Sequence, residues 1–246
     1  MMQRMFLHFV LALSALCLNS ATWGQAASGS PNLKIRSIIM APGRTSATIE
    51  MVNQSTKAIT AFAYAYDITL TDGQHSKGDR MTDFIFSVAA ENAGIHHTPT
   101  PDQQPINPGE VRREVFLFND PGKVSDLAIT MEVVVYADMT SESTNQWLLG
   151  KFIADRTDQA QVESIAADAI TAAMGDAHPL TSAHDRLLKM KHSGTAEGSL
   201  ISARQNLEGK TFATADEERK YLSRLLADHR SYATTLAAHA KIARQP

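Results

Sequence analysis

The sequence predicts an α+β fold, with an antiparallel β-sandwich in the N-terminal half and a bundle of long helices in the C-terminal half. Hydrophobic residues recur with a period of two as far as Tyr136, which is typical of strands with one buried face. After Tyr136 the period changes to 3.6, which is typical of amphipathic helices. We therefore expect a sandwich domain over residues 33–140 and a helical domain over residues 141–246.

Residues 1–26 have the features of a cleaved signal peptide. Arg4 supplies a positive charge, an apolar run extends from Met5 to Leu18, and Gly24 and Ala26 suit cleavage after Ala26. The run is shorter than the ~20 residues that a membrane span needs, and no later segment is apolar enough. We therefore expect a periplasmic or secreted protein whose mature chain has no transmembrane segment.

Composition excludes some classes of protein. The single cysteine, Cys17, lies within the predicted signal, so we expect neither disulfides nor thiol chemistry in the mature chain. The 23 basic and 26 acidic residues give a net charge of −3. Because a nucleic-acid binder carries a basic face, this balance argues against binding to nucleic acid.

The strand prediction is strongest at Ser46–Gly73. Phe62, Tyr64 and Tyr66 alternate with alanines, so this segment has an aromatic face and a small-residue face. Two strands alone are marginally stable, so other strands must cover the aromatic face. The pattern predicts these strands over residues 33–40, 84–88, 111–118 and 127–137. Polar residues 74–80 are predicted to form a loop, and proline-rich residues 91–109 a long surface connection.

Four helices are predicted in the C-terminal half. The first covers Gln146–Met174, the second begins at Pro179, and the third runs through Leu200 and Leu207. Thr214-Ala-Asp-Glu217 matches a capping box at the start of the last helix. A helix of ~30 residues is roughly 45 Å long and needs a partner along its length. We expect that partner to be the first helix.

Familiar catalytic motifs are absent. The sequence has no Gly-x-Ser-x-Gly, Ser-x-x-Lys or His-Glu-x-x-His motif and no complete Gly-x-x-x-x-Gly-Lys loop. His184 and Asp185, joined by His229 from the last helix, are the residues that could bind zinc. Since their spacing is not that of a metal motif, the simpler interpretation places His184 on the surface and His229 between helices. We assign no catalytic residue, no cofactor and no metal.

Three local features have both a ligand-binding and a structural interpretation. Tyr64 and Tyr66 could form a platform for sugars, although their period of two favours core packing. Asn53-Gln54-Ser55 matches a glycosylation triplet and equally well a turn. Asp67 and Asp72 lie towards one strand end and could hold calcium, but a dense run of oxygen ligands is missing.

Two runs carry a resemblance to a known class of module. Val52–Ala61, with the sequence Val-Asn-Gln-Ser-Thr-Lys-Ala-Ile-Thr-Ala, and Val133–Asp138 before a helix resemble Ig-like or fibronectin-like sandwich modules of uncharacterised secreted bacterial proteins. The resemblance covers roughly residues 33–155 and implies an Ig-like sandwich. It brings no catalytic residues, and the cysteine pair and packed tryptophan of Ig domains are missing here.

These observations favour an exported, non-catalytic protein-interaction or structural module of the cell envelope. We expect it to bind another envelope protein or itself, through the helical region or an edge of the sandwich. One alternative is an envelope hydrolase or other metal-dependent enzyme that uses His184, Asp185 and His229. Another alternative is a carbohydrate-binding module that uses the aromatic face of the central strand.

Overall fold

The computed structural model describes residues 32–93, 100–191 and 196–244. The predicted signal peptide, with Cys17, lies outside the described residues. The described part of the chain combines antiparallel sheets with helices, so the predicted α+β class is confirmed. None of the helices in these ranges has the length and apolar content that crossing a bilayer requires.

The described strands form two sheets. The first sheet has three strands in the order β1-β2-β5, namely β1 (Leu33–Met40), β2 (Ser46–Asn53) and β5 (Val111–Leu117). The second has five strands in the order β4-β3-β6-β7-β8, namely β4 (His75–Asp83), β3 (Ile59–Leu70), β6 (Val124–Tyr136), β7 (Thr140–Ser143) and β8 (Ala243–Arg244). Neighbouring strands are antiparallel except for β7 and β8.

Helices flank the sheets. A short helix, α1 (Ile85–Asn92), follows β4 directly. The others follow β7 and are α2 (Gln146–Ala173), α3 (Pro179–Lys189), α4 (Glu197–Leu207) and α5 (Ala215–His239). The four helices predicted for the C-terminal half are therefore confirmed, each close to its expected bounds.

Residues of both sheets share one apolar core. The aromatic face of β3, with Phe62 and Tyr64, is buried in a cluster with Ile49 and Met51 of β2 and Phe116 of β5. These strands provide the cover that the aromatic face was expected to need, because large rings have much apolar area to bury.

The opposite face of β3 packs against a helix. Ala61 and Ala63 lie beside Val133 and Val135 of β6, and the first turns of α2 cover them through a cluster that includes Phe152. All of these side chains are buried. Because alanine projects so little from the sheet, a bulky ring from the helix can fill the space above it. The C-terminal helices thus supply part of the core of the second sheet.

Helices α2 and α5 are partners, as predicted, and they run antiparallel. His229 of α5 contacts Glu163 of α2, and near the other end Arg219 donates to Met174 O just after α2. The predicted capping box begins α5, since the Thr214 hydroxyl accepts from Glu217 N at 3.2 Å. The helix has 25 residues, fewer than expected, because the chain leaves it to form β8.

The strand predicted over residues 84–88 was wrong, because this segment belongs to α1. The alternating residues Phe84, Phe86 and Val88 suggested a strand, but so short an apolar run does not distinguish the two periods. In the helix, Ile85 and Ala89 lie one turn apart and are buried with Leu236 of α5. A helical partner outside the local sequence therefore decides the conformation.

The loop predicted over residues 74–80 was also wrong, because these residues form most of β4. Strand β4 lies at an edge of the second sheet and pairs with β3 along its length. Its side chains are mostly polar because an edge strand has little apolar surface to bury. At Gly78 an added Cβ would lie 2.5 Å from the Tyr66 hydroxyl oxygen, so a larger residue there would require the tyrosine side chain to shift.

A fully buried arginine joins the second sheet to two helices. Arg156 of α2 donates to both carboxylate oxygens of Asp83 at 2.8 Å and to His239 O of α5 at 2.8 Å. Asp83 also accepts from Ile85 N, so it holds the start of α1. Burial lowers the pKa of His239, and the nearby Arg156 charge lowers it further. This cluster connects the end of β4 with α1, α2 and α5.

Candidate functional site

The structure does not assemble the residues considered as metal ligands into a site. His184 and Asp185 both lie on α3, where His184 is half-buried and Asp185 is exposed, whereas His229 lies on α5. His229 Nδ1 is 2.6 Å from Glu163 Oε2, so this histidine occupies the interface between α5 and α2. Within the described ranges, no three His, Cys, Asp or Glu side chains converge as metal ligands would.

The aromatic sugar platform is contradicted. Tyr64 and Phe62 are buried, and Tyr66 is half-buried against the same core, where it meets the Phe116 ring edge-on at 4.9 Å. A sugar needs ring faces that water can reach, and these faces are packed against other side chains. The core interpretation of the period of two is therefore confirmed.

The calcium and glycosylation interpretations also fail on geometry. Asp67 lies within β3 and contacts two residues of β4, His75 Nδ1 at 2.8 Å and the Lys77 ammonium at 3.1 Å. Asp72 instead accepts from Gln74 N in the turn. Asn53 is buried and donates to two backbone carbonyls, so its amide has no room for a glycan.

Strand β5 carries the most unusual surface in the described part of the chain. Side chains at odd positions point away from the core, and Val115 and Leu117 are 54% and 72% exposed. Across the sheet, Val115 pairs with Thr48 of β2, which pairs with Ile39 of β1, itself 56% exposed. With Val111, these residues are four of the seven large exposed hydrophobics among the described residues. We call Ile39, Val111, Val115 and Leu117 the apolar face.

The apolar face borders an edge of the sheet that is free among the described strands, because β5 is the last of them in its sheet. Phe118 N donates to Thr45 O at 3.1 Å, and Asn53 N donates to Glu110 O, so even-numbered residues make the bonds to β2. Strand residues alternate in the side to which their backbone groups point. The N–H and C=O groups of Arg113, Val115 and Leu117 therefore point away from β2, towards the free edge.

On the core side, the same strand carries charges. Arg112 is ion-paired with Glu110 at 2.7 Å, donates to Gln104 O and packs over the Phe84 ring. A shallow cleft of about 470 Å³ lies beside it, lined by Pro101, Asp102, Glu110, Val111, Arg112 and Arg113. Because acidic and basic groups share its wall, the cleft has no clear preference for a ligand of either charge.

Glu114 is the second charge on the core side of β5. Arg80 of β4 forms an ion pair with it at 2.8 Å, and Arg80 Nη1 also contacts Val115 O at 3.4 Å. Glu114 Oε2 and the Tyr64 hydroxyl are buried, and neither forms a hydrogen bond with a described residue. Burial raises the pKa of Glu114 above its ordinary value, while Arg80 and Tyr64 act in the opposite direction. Burial also raises the pKa of Tyr64.

Replacing Glu114 with glutamine is expected to stabilise the protein near neutral pH. The pKa of Glu114 is higher in the folded state than in the unfolded state. Glu114 therefore contributes most to stability below pH 4.5, and this contribution is lost as the pH rises through the pKa of the folded state. The neutral amide avoids this cost, and we expect a gain of roughly 1 kcal/mol, comparable with satisfying one buried polar atom. Urea unfolding of both proteins, from below pH 4.5 to neutral pH, measures the difference in their free energies of unfolding.

Asp67 provides a control, because its pKa is shifted in the direction opposite to that of Glu114. The hydrogen bond from His75 is the largest cause that lowers the pKa of Asp67, so its carboxylate stabilises the fold above pH 3.8 and that contribution is lost in acid. Asp67→Asn should therefore lose stability near neutral pH and match the unmodified protein in acid. A Glu114→Gln variant that behaved like Asp67→Asn would contradict the assigned burial of Glu114.

Sequence reasoning found β5 and its alternation but not the significance of its outer face. The alternation in this strand puts Val115 and Leu117 on the face opposite to Phe116 and Phe118, yet either set could have been the buried one. The signal that could have identified the exposed face lies in β2, where the polar residues Thr48 and Glu50 alternate with the apolar residues Ile49 and Met51. The residues of β5 on the same face as Thr48 and Glu50 are the exposed ones. The contribution of Arg80 was missed because its strand was taken for a loop.

Comparisons with known proteins do not assign a family. No family model matches the chain, and no curated protein matches it. A solved structure of a hypothetical protein from Peptoclostridium difficile 630 is similar at 14% identity over 47% of this chain and 85% of that chain, with a TM-score of 0.27. That likeness is too low to support an argument about fold or function.

Proposed function

We propose that this protein is an exported, non-catalytic interaction module of the cell envelope, and that it binds another polypeptide chain through strand β5. The single observation that carries the proposal is the apolar face beside the free edge of β5, with Leu117 72% exposed. Large apolar side chains clustered on one exposed sheet face are typical of protein-binding surfaces.

The backbone of β5 supports the same mode of binding. An edge strand with unpaired N–H and C=O groups can accept an added strand, which gains hydrogen bonds from the backbone and specificity from alternate side chains. In β5 the outward-pointing backbone groups belong to Arg113, Val115 and Leu117, whose side chains lie on the exposed face, and Val115 O receives only a long contact from Arg80 Nη1 at 3.4 Å. Backbone and side chains therefore present one continuous surface to a partner strand.

The proposal includes the arrangement of the two sheets as layers of a sandwich, with β1-β2-β5 as one layer. What supports it is the core that both sheets share, in which Ile49 and Met51 of one lie with Tyr64 of the other. In such a sandwich the outer face of the three-stranded layer is turned away from the core. The signal-like residues 1–26 support export to the envelope.

Photo-crosslinking from position 117 tests the function. A photoreactive amino acid in place of Leu117 is expected to give one discrete adduct in the cells that make the protein, because this side chain is exposed beside the free edge. The adduct should be lost when Val115→Lys is added, since a lysine on the edge opposes strand addition. Gel mobility followed by mass spectrometry of the adduct is the readout.

Leu188 is the matched control, because it is about half exposed but lies on α3. The same photoreactive group at position 188 should give only diffuse background. A discrete adduct from position 188 and none from position 117 would place the interaction on the helices and contradict the role of β5. Silence at both positions would count against an interaction module altogether.

A further inference from the structure

A charged side chain from the second sheet reaches the outer edge of β5. Arg80 of β4 pairs with Tyr64 of β3, and directly paired residues of neighbouring strands project from the same face of a sheet. Tyr64 is buried in the core that both sheets share. Arg80 therefore projects towards the first sheet as well, and its long side chain extends as far as β5.

Three contacts fix the position of the Arg80 guanidinium. Its Nε forms an ion pair with Glu114 Oε1 at 2.8 Å, and its Nη1 donates to Val115 O at 3.4 Å. Its central carbon lies 5.7 Å from the centroid of the Phe116 ring. The contacted groups belong to three successive residues of β5. The guanidinium therefore lies along the edge of the strand, although the Arg80 side chain is 42% exposed.

Val115 O is one of the acceptors that an added strand needs. This carbonyl points away from β2, so a partner strand would donate an N–H to it at about 2.9 Å. The backbone of that strand would lie about 4.8 Å from β5. Arg80 Nη1, at 3.4 Å from the same oxygen, lies within this spacing. An added strand and Arg80 in its present position therefore exclude each other.

The ion pair with Glu114 makes Arg80 harder to displace than the long contact to Val115 O indicates. A guanidinium is rigid and planar, so Nη1 cannot leave the carbonyl unless the plane that also carries Nε turns. The Glu114 side chain is only 15% exposed, so water can replace its cation only in part. Moving Arg80 therefore weakens an interaction with a largely buried carboxylate as well as one hydrogen bond.

We propose that Arg80 is an autoinhibitory residue of the β5 edge, which a partner strand must displace in order to bind. This inference rests on the proposed function, because it takes β5 as the binding edge. Charged side chains and covered edges are common means by which proteins prevent indiscriminate pairing of edge strands. A strand that makes poor contacts with Val115 and Leu117 does not offset the displacement of Arg80. The arginine therefore also restricts the choice of partner.

Removing the arginine tests the proposal. Arg80→Met combined with Glu114→Gln removes the guanidinium without leaving an isolated carboxylate, and Glu114→Gln alone differs from it only by keeping Arg80. Both proteins carry the photoreactive amino acid at position 117. We expect the yield of the discrete adduct to be about twofold to tenfold higher in the protein without Arg80, the factor that one hydrogen bond of ordinary net strength represents. Quantitative gel analysis of the adduct in cells measures the yield.

Lys77→Met is the matched control. Lys77 is a cation of the same strand, but it is 72% exposed and paired with Asp67 of β3 rather than with β5. Its removal should leave the yield from position 117 unchanged, and an increase as large as that caused by loss of Arg80 would overturn the proposal. Background labelling from position 188 should also be the same in every variant, because a general loosening of the fold would raise it.

The outcomes separate this inference from the proposed function. A yield that is equal or lower without Arg80 would keep β5 as the binding edge and overturn its autoinhibition. An adduct that forms only without Arg80 would support the autoinhibition and contradict the expectation that the unmodified protein binds through β5 in these cells. The absence of a discrete adduct from every variant would overturn both.

Discussion

Replacing Arg156 with methionine is expected to cost about 3–5 kcal/mol of the free energy of unfolding, the usual result of removing one partner from a buried ion pair. Arg156 is fully buried, and its loss leaves the Asp83 carboxylate, which is itself largely buried, without its cation. The His239 carbonyl loses a donor as well. Urea or thermal unfolding of the two proteins measures the difference.

The matched control is Arg219→Met. Arg219 also joins α5 to the end of α2 through Met174 O, but its side chain is 37% exposed and its ion partner Asp216 is almost fully exposed. Exposed ion pairs contribute about 0–1 kcal/mol, so this variant should lose little stability. Equal losses in the two variants would contradict the central role of the buried pair.

A double variant distinguishes pairing from packing. In Arg156→Met with Asp83→Leu both charges are gone, and replacing a buried pair by apolar residues is often neutral or stabilising. We therefore expect the double variant to recover much of the loss seen in Arg156→Met. Recovery would show that the cost lies in the isolated Asp83 carboxylate rather than in the shape of the site.

Truncating Phe152 to alanine is expected to cost about 3–5 kcal/mol, as for other fully buried aromatic residues. Phe152 lies over Ala61, Ala63, Val133 and Val135, and these short or branched side chains cannot move to fill the space that the ring leaves. The resulting cavity separates α2 from the sheet. The midpoint of urea unfolding, followed by near-ultraviolet circular dichroism, is the measurement.

Trp147→Ala on the same helix is the control. Trp147 has the larger side chain, but it is 65% exposed, and the Lys151 ammonium lies over its ring at 5.6 Å. Surface substitutions of this kind usually change stability by at most about 0.5 kcal/mol. If Trp147→Ala were as damaging as Phe152→Ala, the assignment of the helix face that meets the sheet would be wrong.

These two sites show how the parts of the molecule depend on one another. Phe152 completes the core above the second sheet, and Arg156, one turn later, ties the same helix to Asp83 and to α5. Helix α2 therefore contributes to the cores on both of its sides. A change at either site should disturb the sheet and the helices together.

The three-stranded sheet depends less on these contacts. Its buried side packs in the shared core through residues such as Ile49 and Met51, while its outer side meets solvent. The apolar face is therefore exposed without any opening of the fold. A partner strand can bind there without disturbing the core, which agrees with the role proposed for β5.

Local sequence determined the elements that carry their own signals. Thr214 and Glu217 specify the start of α5 because they satisfy free N–H groups within one turn. Pro179 suits the first turn of α3 for a similar local reason. The alternation of Phe62 and Tyr64 with alanines determined both faces of β3, since side chains in a strand point to opposite sides whatever surrounds them.

Tertiary structure decided what depends on distant partners. Phe84–Val88 alternates like a strand but is drawn into α1 by Leu236, and the polar β4 becomes a strand only because β3 offers its edge. The exposure of Val115 and Leu117 follows from which face of β5 meets the core, a choice that alternation alone leaves open. Local signals thus determined the elements that carry them, whereas long-range packing decided the conformation of α1 and β4 and which face of β5 is exposed.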